Sequence, residues 1–503
     1  MAKASRVHYS GTAPFVDDVQ VNRVQALGSS SRLTTEDMKE LGSLNIVEIV
    51  DDVPQVDVSV DQNENGTNDL IALLANKGYG CQVIAVPEGN QLGSNKVKVK
   101  SGSYLVGEHR VYLEGTELTI DGPGEQVVYL VNEVAGNKVE VGSTAPNGSI
   151  EIARISGGAV DAGVITQADI TDARPKSMTQ VTGLDYELSN VDLSVPVKQS
   201  GGGDEISRTM YMEKAYLNNF DMSFQVNGVA TNAFKLETDN KRWFLNTSAH
   251  VVVDEYKATE GQTDFPLTQD PSPLNNGNKL LCLYKNGKKL AEGTDFSVSS
   301  QTVTITDAAV AGDLFKARYT AAEGGQLFTS NNPDQDPSVD LAGGVKEGQV
   351  EIYLSDDQNN RVTRVQSARI SLPLNREQLD ELGTMYPYDR PLQLPISINV
   401  SLELKDSDLE LMARFAGKNV ETATEIALED LVKNMGVVVK IYRETDVKRD
   451  KLPAGHPDKL AIKTISVDNL IPQSENWDVR VDSDASQSYE FMAHNILVED
   501  KLV

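Results

Sequence analysis

Between residues 61 and 69 the chain reads DQNENGTND, and these are side chains that hold a hard cation. Asp61, Asn63 and Asn65 set short oxygen donors at alternating positions, Gly66 permits a tight turn, and Asp69 adds a further carboxylate. That is the first half of a calcium loop. The twelfth position, where such a loop needs a bidentate glutamate, is Ala72. The competing reading is a polar Asn-Gly turn leading into a helix whose first turn Asp69 stabilises. Gly201, Gly202 and Gly203 could likewise cradle a phosphate, but that use requires a strand-to-helix turn and usually a following lysine. Here Asp204, Glu205 and a strand-like run follow, which predicts a hairpin tip.

Chemistry is otherwise sparse. His8, His109, His250, His456 and His494 are scattered, with no pair at the spacing of a metal site. There is no GxSxG elbow, and the only cysteines, Cys81 and Cys282, lack a local nucleophile signature and form no disulfide framework. Trp243 and Trp477 are too few for a sugar-stacking platform and read as covers for the edge of a core. Against 46 Lys plus Arg stand 74 Asp plus Glu, a net charge of −28 that disfavours a DNA-reading role. No apolar run is long enough to span a bilayer and no signal-type h-region opens the chain, so neither export nor membrane insertion is expected. The expectation is a protein that is not an enzyme and uses no cofactor.

The elements that position these residues come from a repeat. Asn22 to Gly42, NRVQALGSSSRLTTEDMKELG, is answered without a gap by Thr363 to Gly383, TRVQSARISLPLNREQLDELG, at an offset of 341. Each copy is expected to hold a strand, then a short helix opened in copy one by Thr34 or Thr35. An alternating strand follows, Val56, Val58 and Val60 against Ile396, Ile398 and Val400, slipped by one residue. A second helix then ends near Gly78 and Gly417. Further on, residues 208–240 align with 463–495 at an offset of 255, so copy one carries 341 − 255 = 86 more residues inside it. Asn227-Gly228 in FDMSFQVNGVATNAFKLE predicts a two-residue hairpin turn with positive φ at both positions, and Asn286-Gly287 predicts another hairpin.

The organisation read from this is an N-terminal arm over 1–21, repeat one over 22–80 and 166–250, and an inserted all-β module over 81–165. A second β module or linker covers 251–325, and repeat two covers 326–503. The fold class is mainly β, two tandem sandwich or barrel-forming domains with short flanking helices.

In motif order the repeats resemble the tail tube proteins of long-tailed bacteriophages. The likeness covers roughly 22–80, 166–240 and 340–503, and the inserted modules resemble small β domains of phage fibre and tail proteins. The resemblance implies a β-sandwich with a flanking helix in each repeat, four of whose strands join neighbours in the inner barrel of a ring. It implies rings that stack through a hairpin loop, here Gly201, Gly202, Gly203, Asp204 and Glu205 in copy one and Lys448 and Lys451 in copy two. Its partners would be further copies of the chain, as a ring of three with pseudo-sixfold symmetry in preference to six. Other tail proteins, a tape measure protein in the lumen and a sheath would join them, and DNA would pass an acidic channel without specific binding. The location would be the virion tail. The alternatives are another tail, baseplate or decoration protein, or a calcium- or glycan-dependent adhesive β protein.

Overall fold

The computed structural model of the chain is mainly β with a few short helices. It describes residues 12–500 apart from 34, 39–47, 52, 65, 67–68, 87–92, 107–108, 114, 132–138, 188, 199–205, 326–343, 356, 383–385, 406–409, 420, 428–434, 444–448, 453–458 and 480–484.

Two sets of elements organise it. The first holds β1 (Val24–Arg32), β2 (Gln55–Asn63), α1 (Asp69–Leu74), β3 (Val191–Lys198), β4 (Ile206–Gln225), β5 (Thr231–Thr238) and β6 (Lys241–Leu245). The second holds β7 (Val365–Pro373), β8 (Ile398–Leu404), α2 (Glu410–Phe415), β9 (Met435–Tyr442), β10 (Ala461–Asp478), β11 (Ser486–Ala493) and β12 (Asn495–Glu499). Antiparallel pairing joins eight of these strands in the order β1-β2-β5-β4-β7-β8-β11-β10.

Only the second halves of β4 and β10 belong to that sheet. Their first halves pair elsewhere, β4 between β3 and β6 and β10 between β9 and β12. The ladders of the two sets share their irregularities. The bulge between Leu217 and Asn219, opposite Leu236 and Lys235, recurs between Pro472 and Ser474, opposite Phe491 and Glu490, each 255 residues on. Lys214 and Asn469, again 255 apart, both take a positive φ, 51° and 58°.

Alternation sets which face is buried. Along β2, Val56, Val58 and Val60 point to the core while Asp57, Ser59 and Asp61 do not, the period of two that a half-buried strand requires. Ile398, Val400, Leu402 and Leu404 do the same on β8. Phe220 and Phe234 stack at 4.6 Å across β4 and β5. One continuous core receives side chains from both sets.

The structure corrects several expectations. Thr35–Met38, where a helix is expected to begin, is a strand paired with Glu48–Asp51, and residues 39–47 lie outside the described residues. In the second set, Arg376 and Leu379 make isolated bridges to Leu392 and Asp389, again without a helix. So short a segment cannot recover the cost of helix nucleation, whereas a ladder satisfies its backbone at once. The one-residue slip runs the other way: Ser29 faces Val58 and Ile370 faces Val400, so Val56, Val58 and Val60 correspond to Ile398, Val400 and Leu402. The first helix is stopped by Asn76, φ 51°, in the place of Gly417, φ 63°, and not by Gly78. Both close with the same bond, Lys77 N–H to Ala72 C=O in one and Lys418 N–H to Ala413 C=O in the other, each 2.8 Å. At Asn227-Gly228 only Asn227 has a positive φ, and the connection between β4 and β5 spans 226–230. Val229 bridges Lys346 and Ala230 donates to Val345, so a passing segment holds this loop open.

Two further cores belong to the inserted segments. Residues 79–172 form three small sheets around Tyr104, Val128 and Ile152. Residues 250–321 form two sheets around Phe265 and Phe315, whose rings lie 4.4 Å apart, and Asn286-Gly287 makes the expected tight turn with φ of 48° and 80°. Cys81 and Cys282 are buried free thiols, and burial raises them to about 12 and about 11, so neither is a nucleophile near neutrality.

Phe15–Val16 pairs with β3, which fixes the N-terminal arm to the first set. Arg318 of the second inserted segment bonds both Asp18 of the arm and Asp192 of β3, and Lys316 joins Asp18 at 3.1 Å. Although burial opposes it, these cations hold Asp18 down to about 2. Neighbouring Asp17 goes the other way, to about 6, through burial and the adjacent Asp192 carboxylate. A carboxyl raised in the folded state contributes stability that is fully present below its unfolded value of about 4 and is lost as pH rises through 6. Asn at position 17 can still accept the Asp192 N–H, now 3.0 Å from the carboxylate. Asp17→Asn should therefore melt progressively higher than wild type as pH rises from 4 to 7 and keep that margin above it. A pH-independent difference in melting temperature would refute this.

Candidate assembly interface

The strongest chemistry in the molecule lies where the two sets meet. β4 pairs with β7 over Asn219–Gln225 and Ser367–Pro373, placing Phe220 opposite Leu372, Met222 opposite Ile370 and Phe224 opposite Ala368. All six face the core and are buried. On the other face Asp221 and Arg369 pair at 3.1 Å.

Beneath this seam lies a fully buried ion pair. Glu64, just past the end of β2, places its carboxylate 2.7 Å from the ammonium of Lys463 on β10, and neither side chain has any exposed surface. The same carboxylate accepts from Asn232 Nδ2 and from the Gly66 N–H, each at 2.8 Å. The Glu64 backbone is held by Ala230 C=O and the Val345 N–H. The carboxylate thus has a cation and two further donors, as a charge in a low-dielectric interior demands.

Arginines of the second set complete the junction. Arg390 grips Glu237 and Asp239 of the first set. Arg376 donates to the carbonyls of Leu217 at 3.0 Å and Glu187 at 3.1 Å, with its guanidinium 5.1 Å from the Tyr216 ring centre. Burial lowers Arg376 to about 10, which leaves it charged near neutrality. Gln180–Thr182 pairs with Leu497–Glu499 of β12, and Arg174, wholly buried, bonds Asp172 and the Asp500 carbonyl. The C-terminal strand is thereby tied to the first inserted segment.

The sequence candidates are placed as follows. Asp61 and Asn63 lie on β2, paired with β5, with buried Glu64 next in line. Gly66 turns at φ 78°, Asn65 is outside the described residues and Asp69 opens α1. Among the described residues no group of three His, Cys, Asp or Glu could hold a metal. Gly201, Gly202, Gly203, Asp204, Glu205 and Lys448 lie outside the described residues. Their flanks do not: β3 ends at Lys198 and β4 begins at Ile206, while β9 ends at Tyr442 and β10 begins at Ala461, the same position in each set. Lys451 is exposed on the short turn Arg449–Lys451, where Arg449 covers the Tyr442 ring at 3.6 Å. A cleft between the β4–β5 connection and residues 361–368 is lined by Lys346, Glu347, Glu351, Arg361 and Arg364.

Glu64 and Lys463 escaped the sequence reading. Glu64 sits among the polar residues of DQNENG, where nothing marks it, whereas Lys463 is a lone charge in the apolar run AIKTISV, which is the signal of a buried partner. Compared with known proteins, the chain matches no family model and no curated protein.

Among the described residues, β1 pairs only with β2, and Ser474–Trp477 of β10 only with β11. The eight-stranded sheet thus ends in two open edges. Lys463→Ala would leave the Glu64 carboxylate buried without its cation and should cost about 3–5 kcal/mol in denaturant unfolding. Glu64→Gln combined with Lys463→Met should lose far less, and equal losses would show that the charge is not the cause.

Proposed function

We propose that this chain is a structural protein of a bacteriophage virion that polymerises into stacked rings forming a tail tube, the channel for DNA passage. One observation carries the reading. A single sheet runs from one set of strands into a matching set by backbone pairing and, among the described residues, stops at an open edge on either side. An open edge invites another strand, and unlike edges at the two ends of one molecule give head-to-tail contacts that close into rings. Each chain would fill two places, so three chains complete a pseudo-sixfold ring in preference to six.

The sheet face turned away from the core is polar and mainly acidic, with Asp57, Asp61, Asp221, Glu403, Asp478 and Glu490 against Arg32, Lys235 and Arg369. Lining a channel, it would repel the phosphates of DNA and let the duplex slide. The loops Val197 to Ser207 and Arg443 to Lys459 would reach the next ring, and the two inserted segments would face outward toward a sheath or solvent.

Negative-stain microscopy of the purified chain should show rings or tubes, and a single ring should weigh 3 × 54.7 = 164 kDa. A chain that stays monomeric at every concentration sinks this reading, and a ring with a net basic inner wall sinks the proposed channel.

A further inference from the structure

We infer that copies join by antiparallel pairing of β10 with the next copy's β1, in the register β4 and β7 use inside the chain, with Trp477 as the buried anchor. This rests on the ring reading and gives it a specific seam. The offsets that relate the two sets convert each internal pair into a pair between copies. Met222 opposite Ile370 becomes Trp477 (222 + 255) opposite Ser29 (370 − 341). Phe220 opposite Leu372 becomes Glu475 opposite Ser31, and Phe224 opposite Ala368 becomes Val479 opposite Leu27.

Exposure marks the same positions. Trp477 faces Gln487 and Ser29 faces Val58, both core-side residues, so each side chain points to the inner face of its strand. Met222 and Phe224 are 0% and 5% exposed, covered by the second set, whereas Trp477 and Val479 are 62% and 54% exposed. An inward-pointing indole open to solvent on an unpaired edge lacks its cover.

Volume agrees. Two medium side chains, Met222 and Ile370, are replaced across the seam by one large and one small, so the indole fills the space above Ser29. The Ser29 hydroxyl lies 3.5 Å from the Met210 sulfur and 3.4 Å from the Lys241 ammonium, which would bring a thioether and a cation to the ring.

Two measurements test the seam. Chains carrying Ser29→Cys and chains carrying Trp477→Cys, mixed and oxidised, should give disulfide-linked dimers, since directly opposed residues are the closest across a ladder and the native thiols are buried. Ser30→Cys, on the opposite face, should not link with Trp477→Cys. In a Trp243→Phe chain, Trp477 is the only indole, and its emission should shift to shorter wavelength as rings form. Rings that link preferentially through a shifted pair such as 27 with 477, or whose Trp477 emission stays that of an exposed indole, overturn this seam while leaving the ring reading standing. A chain that never assembles overturns both.

Discussion

Backbone amides and carbonyls at the rim of a sheet must find partners, and where β4 meets β7 the chain supplies them from its own second half. Seven residue pairs cross that line, and the apolar side chains on its inner face merge what would be two cores into one. The flanking sheets, the arm and the C-terminal strand are all arranged around this junction. A small sheet with two open edges is marginal alone, and joining the two sets in one chain covers one edge of each.

The Glu64–Lys463 pair shows how this junction is made specific. Apolar packing along a ladder tolerates a slip of two residues, because side chains return to the same face. A buried carboxylate with one ammonium and two N–H donors in reach tolerates none, since a slip would strand a charge in the interior. Arg390 and Arg376 act in the same sense from the periphery, reaching carboxylates and carbonyls of the other set. The inserted segments keep their own cores and are fastened by different arginines, Arg318 and Arg174. They can be elaborated without disturbing the central sheet.

The seam inside the chain is apolar, whereas the β1 edge is polar. Ser29, Ser30, Ser31 and Arg32 make the β1 edge polar, which disfavours indiscriminate strand pairing, while Trp477 on β10 exposes the indole that the proposed seam would cover. The internal seam and the two edges differ at equivalent positions, Ile370 against Ser29 and Met222 against Trp477.

The mainly β character of the chain was readable in its residues, as were the internal likeness, the alternating strand at Val56 to Val60 and the tight turn at Asn286-Gly287, because period, local φ and self-similarity are written in neighbouring positions. The strand at Thr35–Met38, the direction of the slip in β8 and the loop at Asn227 were not. The first is settled by its hairpin partner Glu48–Asp51, the second by pairing with β7 and the third by the passing segment at Val345 and Lys346, and local propensity is too weak to oppose a ladder. Only the folded chain brought Glu64 to Lys463 across 399 residues. Desolvation acts on whichever groups the topology buries together, and no local pattern encodes that meeting.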